Sequence, residues 1–215
     1  MKRSFLPAIL SLATLSLVGC ANVEVTKTYV ASGATRPSNI YIRPFTVAGA
    51  TFVGDHGPEG QKPIRQSLAP AELNIALKEE LSKIAPAMII DNNDIPEDGW
   101  IVDGNIDVVD GGSQPLRFFF GHAGAGRTTA MVHVRVTQAG SDIGIGDAKG
   151  GAPEGVLYAF DVKSSSKAAG PAGSVYSSGL GSSVMFDFRN IAEEVMLVLT
   201  PDPYRYGVRA GGADR

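Results

Sequence analysis

This sequence has few of the residues and motifs that identify a disulfide-rich, zinc-binding or nucleic-acid-binding protein. One cysteine in 215 residues excludes a disulfide scaffold, and no cysteine pair or H-E-x-x-H motif indicates a zinc site. Lys and Arg together (19) do not outnumber Asp and Glu (22), so no basic field exists to hold nucleic acid. The chain is nevertheless 44% hydrophobic, which is typical of a folded globular protein rather than a disordered one.

The single cysteine follows an apolar N-terminal segment. Lys2 and Arg3 precede a charge-free run over residues 5–18, which is typical of a signal peptide and is shorter than the about 20 residues that span a bilayer. The run ends in Leu17-Val18-Gly19-Cys20, which resembles the lipobox of bacterial lipoproteins. The resemblance implies that residues 1–19 are removed and that the thiol of Cys20 carries a covalent lipid. No other cofactor is expected. The alternative is an ordinary signal peptide with an incidental cysteine.

The resemblance also implies a location in the cell. In such lipoproteins an aspartate directly after the cysteine keeps the protein at the inner membrane, and this position is Ala21 here. We therefore expect a lipid anchor in the outer membrane, with the protein on its periplasmic face. The predicted organisation is a lipidated tether over 20–37, one periplasmic domain over 38–200 and a flexible tail over 201–215.

Hydrophobic periodicity divides that domain into five strands and two helices. Helical spacing of apolar residues predicts helices over 67–84, with Pro70 in the first turn, and over about 185–199. Runs rich in β-branched residues predict strands over 39–47, 88–90, 100–110, 128–138 and 156–163. This order predicts an α+β fold: a mixed or antiparallel sheet of about five strands with both helices packed on one face. The first two strands are expected to be joined by a right-handed crossover and the last three to form a meander.

A glycine-rich segment between two of these strands resembles two known patterns. Residues 121–128 approach the phosphate-binding G-x-x-x-x-G-K-[ST], but Arg127 replaces the lysine and a strand follows instead of a helix, which argues against nucleotide binding. Val102-Asp103-Gly104, then Gly112-Ser113 with Arg117, then the glycines of 121–126 resemble an uncharacterised family of bacterial outer-membrane lipoproteins, a domain of unknown function, over residues 39–199. The order of elements also resembles the N-terminal domain of TolB and the lipoproteins CsgG, PelC and LpoB.

The same segment is the candidate contact surface. An extended Phe118-Phe119-Phe120 cannot direct all three rings to one side, so at least one ring points away from its neighbours. The rings either pack under the segment or form an apolar patch for a partner. The candidate contact loop comprises Arg117, Phe118, Phe119, Phe120, Gly121, Gly124 and Gly126. The architectural interpretation of its glycines is favoured over the contact surface, since glycine permits close approach of two backbones.

Catalytic and metal-binding patterns are weak. His56, His122 and His133 do not form a ligand set, and no G-x-S-x-G is present, so we expect neither a metal site nor catalytic residues. A hydrolase using His122 or His133 with Asp107 or Asp110 is the enzymatic alternative. Carboxylates at Asp103 and Asp107, or at Asp91 and Asp94, could hold a hard cation but are more typical of a solvated surface.

The sequence therefore predicts a lipoprotein that is not an enzyme and acts by protein contact. Its role would be that of an accessory or assembly factor of an envelope complex, and its partners the membrane and an envelope protein or further copies of itself. A subunit of an oligomeric export ring is the alternative. In that case 128–138 and 156–163 would form a hairpin of a shared barrel, with His133, Arg135, Asp161 and Lys163 facing its lumen.

Overall fold

A computed structural model describes residues 21–31, 34–53, 61–112, 127–140, 155–166 and 182–200. Seven strands and two helices lie in these ranges. In chain order they are β1 (Ala21–Val30), β2 (Ile40–Ile42), β3 (Thr51–Val53), α1 (Gln61–Leu81), β4 (Ala87–Ile89), β5 (Trp100–Asp110), β6 (Thr128–Gln138), β7 (Val156–Ser166) and α2 (Ser182–Leu199).

All seven strands belong to one mixed sheet, in the order β1-β7-β6-β5-β2-β4. Strand β3 is outside this order: it pairs with the end of β5, whereas β2 pairs with the start of β5. The strands β5, β6, β7 and β1 are antiparallel neighbours, while β2, β3 and β4 make parallel pairs. The α+β class, the parallel pairing of β2 with β4 and the β5–β6–β7 meander are confirmed. The expected number of about five strands is wrong, because β1 and β3 add two.

Strand β1 lies in the segment that we expected to be a tether. Val23 and Val25 pack against the core, while Asn22, Glu24 and Thr26 are exposed on the other face. An edge strand needs apolar residues only at alternate positions and over a short stretch, so its sequence is as polar as a linker's. Strand β3 was missed for a related reason, since three residues within a glycine-rich stretch carry little periodic signal.

Helix α1 follows the predicted leucine spacing but begins earlier. Leu73, Leu77 and Leu81 are fully buried. The helix starts at Gln61, so Pro70 lies in its interior and not in its first turn. An interior proline removes one backbone hydrogen bond, and Ala69 beside it is completely buried against the core.

Helix α2 buries its predicted face, including Phe188, Ile191 and Val195. It packs against α1 and against β6, β7 and β1, so both helices cover the same face of the sheet, as expected. We call this side the core face and the opposite side the open face. No helix among the described residues is long and apolar enough to cross a membrane.

The central strands alternate between the two faces. On β6, Val132, Val134 and Val136 are completely buried while the residues between them are half-buried. On β5 the alternation breaks at an irregularity between Ile106 and Val108, so Val109 and not Val108 lies in the core. A bulge inserts one residue and shifts the faces beyond it, which alternation alone does not reveal.

Strands β2 and β4 are both only three residues long. The first predicted strand is reduced to Ile40–Ile42, with a single bridge from Thr46 to Asn105 after Pro44. Strand β4 is not buried: Met88 and Ile89 are each 42% exposed, because β4 is the last strand on its side of the described sheet.

One glycine is required by close packing of strands. A Cβ at Gly104, in the middle of β5, would overlap the backbone oxygen of His133 and would lie 2.7 Å from Cε1 of Phe45. Glycine at this position therefore allows β6 and the Phe45 ring to approach β5 together.

Candidate functional site

A histidine and a carboxylate are paired on the open face. His133 on β6 lies directly opposite Asp161 on β7, and its Nδ1 is 2.7 Å from Asp161 Oδ1. The imidazole is partly exposed while the carboxylate is buried. This is the arrangement by which a carboxylate orients an imidazole. Both residues belong to paired strands, so the sheet register holds them together.

An arginine and a second carboxylate form the next pair across the strands. Arg135 on β6 faces Asp103 on β5 and donates to both carboxylate oxygens, from Nε at 2.8 Å and from Nη2 at 3.0 Å. The hydrogen bonds that Arg135 donates to Asp103 raise the pKa of the Arg135 guanidinium, while partial burial acts in the opposite direction. The two-point geometry fixes the arginine side chain across the open face.

The remaining polar residues of β5 are bonded locally. The side-chain amide of Asn105, opposite His133 in the register, donates to Asp107 Oδ1. Asp110 Oδ1 accepts from the backbone N–H of Gly112 at 2.8 Å. The hydrolase interpretation paired His133 with Asp107 or Asp110. That pairing is wrong, because the register places Asp161 against the imidazole.

The open face has the chemistry of a charged surface with one oriented imidazole. A nucleophilic triad would also need a hydroxyl or thiol hydrogen-bonded to the imidazole. Within the described ranges, the only side chain hydrogen-bonded to His133 is Asp161. No group of three or more potential metal ligands occurs among the described residues. Asp91 and Asp94 form an exposed turn in which the N–H of Asp91 donates to Asp94 Oδ2 at 2.9 Å.

A buried polar cluster lies on the core face, where β6 begins and β7 ends. Asp187 of α2 accepts from Thr128 Oγ1 at 2.5 Å and from Ser164 Oγ at 2.7 Å. Thr128 and Ser166 are joined by a third hydrogen bond of 2.8 Å. All four side chains are almost completely inaccessible to solvent. We call Thr128, Ser164, Ser166 and Asp187 the hydroxyl cluster.

Burial dominates the electrostatics of the hydroxyl cluster. It raises the pKa of the Asp187 carboxyl, because a charged carboxylate is poorly solvated there, while the hydrogen bonds from Thr128, Ser164 and Ser166 act in the opposite direction. The cluster ties the early turns of α2 to two strands at once. Its role in the fold is to fix the position of that helix on the sheet.

The hydroxyl cluster was not predicted, because the predicted strand ended at residue 163 and Ser164 and Ser166 lie beyond it. The available signal was the alternation of β7, since Phe160, Val162, Ser164 and Ser166 continue on one face. Small hydroxyl residues are typical of loops, and this tendency obscured the period of two.

Most of the predicted site residues cannot be placed. Cys20 and the whole candidate contact loop (Arg117, Phe118, Phe119, Phe120, Gly121, Gly124 and Gly126) lie outside the described residues. His56 and His122 also lie outside them, as do residues 201–215. The four residues assigned to a lumen in the ring interpretation, His133, Arg135, Asp161 and Lys163, all lie on the open face of β6 and β7, and Asp161 is buried there while the other three are partly or largely exposed.

The fold and these polar groups define a small α+β domain with a helical layer on one side of a mixed sheet. The chain belongs to the DUF4410 family, a domain of unknown function, whose sequence pattern matches residues 40–170. The predicted membership of a family of unknown function is thereby confirmed. Strand β1 and helix α2 lie outside the matched range.

Comparison with other proteins adds little to this assignment. No curated protein matches the chain. Among solved structures, the PelC dodecamer from Paraburkholderia phytofirmans is similar in two crystal forms, at 12% identity over 82% of this chain and 98% of that one. The TM-score is 0.37 in both cases.

Proposed function

We propose that this protein is an outer-membrane lipoprotein, anchored through Cys20, whose periplasmic domain acts by binding another protein as an accessory or assembly factor. The lipobox-like sequence supports the anchor. The observation that supports protein binding is an exposed apolar edge of the sheet. This contact edge comprises Met88 and Ile89 of β4 together with Ile95 of the segment that follows β4.

The side chains of the contact edge are unusually exposed for their size. Ile95 is 85% exposed, and Met88 and Ile89 are each 42% exposed. Scattered apolar residues are common on protein surfaces, but Met88 and Ile89 lie on β4, the last strand on this side of the described sheet, and Ile95 lies in the segment that joins β4 to β5. Met88 and Ile89 are consecutive residues of a strand and point to opposite faces of the sheet, so apolar side chains flank this edge on both sides, where an added strand would contact them.

The backbone at this edge also favours a partner. In a parallel pair, alternate residues direct their backbone groups at the neighbouring strand. The N–H of Ile40 donates to Pro86 and the N–H of Ile90 donates to Ile42, so even-numbered residues of this strand face β2. The N–H and C=O groups of Ala87 and Ile89 therefore point away from β2. A strand from a partner could add to the sheet here.

The opposite edge of the sheet is less suited to strand addition. Strand β1 exposes Tyr29 and Val30, but its pairing with β7 is irregular between Thr26 and Tyr29. Bulges in edge strands twist the backbone and hinder further pairing. We therefore assign partner binding to the contact edge.

A photo-crosslinking amino acid at position 95 in living cells tests this assignment, with position 75 as the matched control. Ile75 is also an exposed isoleucine, 49% accessible, but lies on α1. We expect a specific crosslinked product from position 95 and none from position 75. The product should disappear when Met88→Lys is added. Equal crosslinking from both positions, or none from position 95, would refute binding at this edge.

The anchor is tested separately. Cys20→Ser should move the protein from the outer-membrane fraction to the soluble periplasmic fraction, because the hydroxyl is not lipidated. Ala21→Asp is a second variant, and it should shift the lipidated protein toward the inner membrane. Retention of Cys20→Ser in the membrane fraction would show that the anchor lies elsewhere.

The export-ring alternative is less well supported. It requires the apolar face of the β6–β7 hairpin to contact lipid. Val132, Val134, Phe160 and Val162 form that face and are completely buried beneath the helical layer. The alternation of these strands is therefore explained by the two faces of an ordinary sheet.

A further inference from the structure

Four strand termini lie together at one end of the sheet. Ala21 at the start of β1 is in register with Ser166 at the end of β7, which is in register with Thr128 at the start of β6. The next residue of β6, Thr129, is in register with Asp110 at the end of β5. We call this the anchor end. The far end is marked by Trp100 and Gln138, at the other termini of β5 and β6.

No spacer separates the anchor end from the predicted lipid. Consecutive Cα atoms are about 3.8 Å apart, so Cys20 lies within one residue of a position already paired in the sheet. A flexible tether of the predicted length, residues 20–37, would have let the domain move tens of ångströms from the membrane. The β-pairing of Ala21–Val30 removes this freedom.

Side-chain contacts also connect the anchor end to both helices. The hydroxyl cluster ties α2 to β6 and β7 at this end, through the bonds of Asp187 to Thr128 and Ser164. The start of α1 is near as well, since Arg65 lies beside Gly111, just after β5. A lipid anchor on β1 is therefore connected to the sheet and, through these contacts, to the helical layer. The anchor end can change its orientation to the membrane only if the whole domain moves.

We infer that the membrane surface meets the anchor end of the sheet and that β5, β6 and β7 rise away from it into the periplasm. The inference rests on the proposed lipidation of Cys20. Eleven residues of antiparallel strand span about 35 Å, so the far end is held that distance from the lipid headgroups. Strand β4 pairs with β2, and β2 pairs with Trp100–Val102 at the start of β5, which is the far end. The contact edge therefore lies in the far half of the sheet, where a periplasmic partner can reach it.

Three single-cysteine variants of the lipidated protein test this orientation. Arg127→Cys lies at the anchor end, two strands away from β1. Lys163→Cys lies on the open face of β7, opposite Met131, and Glu97→Cys lies beside Gly140 beyond the far end. All three native side chains are exposed. Because Cys20 would be blocked by its lipid, a thiol-reactive fluorophore labels only the new cysteine.

The labelled proteins are reconstituted into phosphatidylcholine vesicles that contain a lipid with a nitroxide quencher on its headgroup. We expect the label at 127 to lose most of its fluorescence, the label at 163 to lose less and the label at 97 to be almost unaffected. Inserting a twelve-residue Gly-Ser spacer between Cys20 and Ala21 should abolish most of this difference.

The possible outcomes separate the orientation from the anchor. If the protein does not float with the vesicles, lipidation and the proposed function fail. If it floats and the label at 163 is quenched most, the open face lies on the membrane and the inference is wrong. Equal quenching at all three positions, or a gradient unchanged by the spacer, would equally overturn it.

Discussion

The two faces of the sheet are built from alternate residues of the same strands, yet the carboxylates on the two faces are stabilised by different interactions. On the core face, Asp187 lies among neutral hydroxyl groups and is inaccessible to water. On the open face, Asp103 meets the guanidinium of Arg135, and both side chains are partly exposed. One carboxylate is stabilised by hydrogen bonds against the cost of burial, and the other is paired with a charge and partly hydrated.

This contrast shows where the stability of the domain resides. Burial of apolar surface and satisfaction of buried polar atoms contribute most to the free energy of unfolding, whereas ion pairs near water contribute little. The core face should therefore be sensitive to substitution and the open face tolerant. A tolerant surface is free to serve solubility or recognition.

Truncation of a core aromatic residue should have the largest effect. Phe160 on β7 is completely buried, while Lys163 on the same strand is exposed. We expect Phe160→Ala to lower the free energy of unfolding by about 3–5 kcal/mol and Lys163→Ala to change it by less than about 0.5 kcal/mol. Urea unfolding followed by circular dichroism measures both. Similar losses for the two variants would contradict the division into a core face and an open face.

Removal of the central carboxylate should rank second. In Asp187→Ala the hydroxyls of Thr128 and Ser164 lose their acceptor inside the protein, and we expect a loss of about 2–4 kcal/mol in the free energy of unfolding. Asp187→Asn keeps one acceptor oxygen and nearly the same volume, so it should cost less. The hydroxyl cluster would have no stabilising role if both variants unfolded at the wild-type urea concentration.

The raised pKa of Asp187 makes a prediction about pH. Between the ordinary pKa of a carboxyl and the raised value in the folded state, the folded protein binds a proton that the unfolded chain does not. Stability then falls as pH rises through this window and is constant above it. Asp187→Asn does not titrate, so the difference in unfolding free energy between wild type and variant should change across the window. A difference that is independent of pH from mildly acidic to neutral conditions would exclude titration of this group.

The elements that could be predicted from the sequence are those with a long, strict period. Leu73, Leu77 and Leu81 specify one helix, and Val132, Val134 and Val136 specify a strand with one buried face. Such patterns depend only on which residues avoid water, and they do not require knowledge of the neighbours. The helical layer and the meander therefore followed from the sequence alone.

The pairs on the two faces could not be predicted in the same way. Whether His133 meets Asp161 or Asp107 depends on the register between strands, and the 17-residue connection between β6 and β7 does not set that register as a tight turn would. The hydroxyl cluster joins Thr128 to Asp187, which are 59 residues apart. Only the tertiary arrangement brings such residues together.

The ion pair on the open face should give the smallest effect. A double-mutant cycle of Asp103→Ala and Arg135→Ala measures the coupling free energy, which we expect to be about 0.5–1 kcal/mol and to fall at high salt, since both groups are reached by solvent. The pair Glu80–Lys83 at the end of α1 is the matched control, because its lysine is far more exposed. Its coupling should be about 0.3–0.5 kcal/mol. If the sheet pair were no stronger than this control, the two-point geometry of Arg135 and Asp103 would add nothing to the stability of the domain.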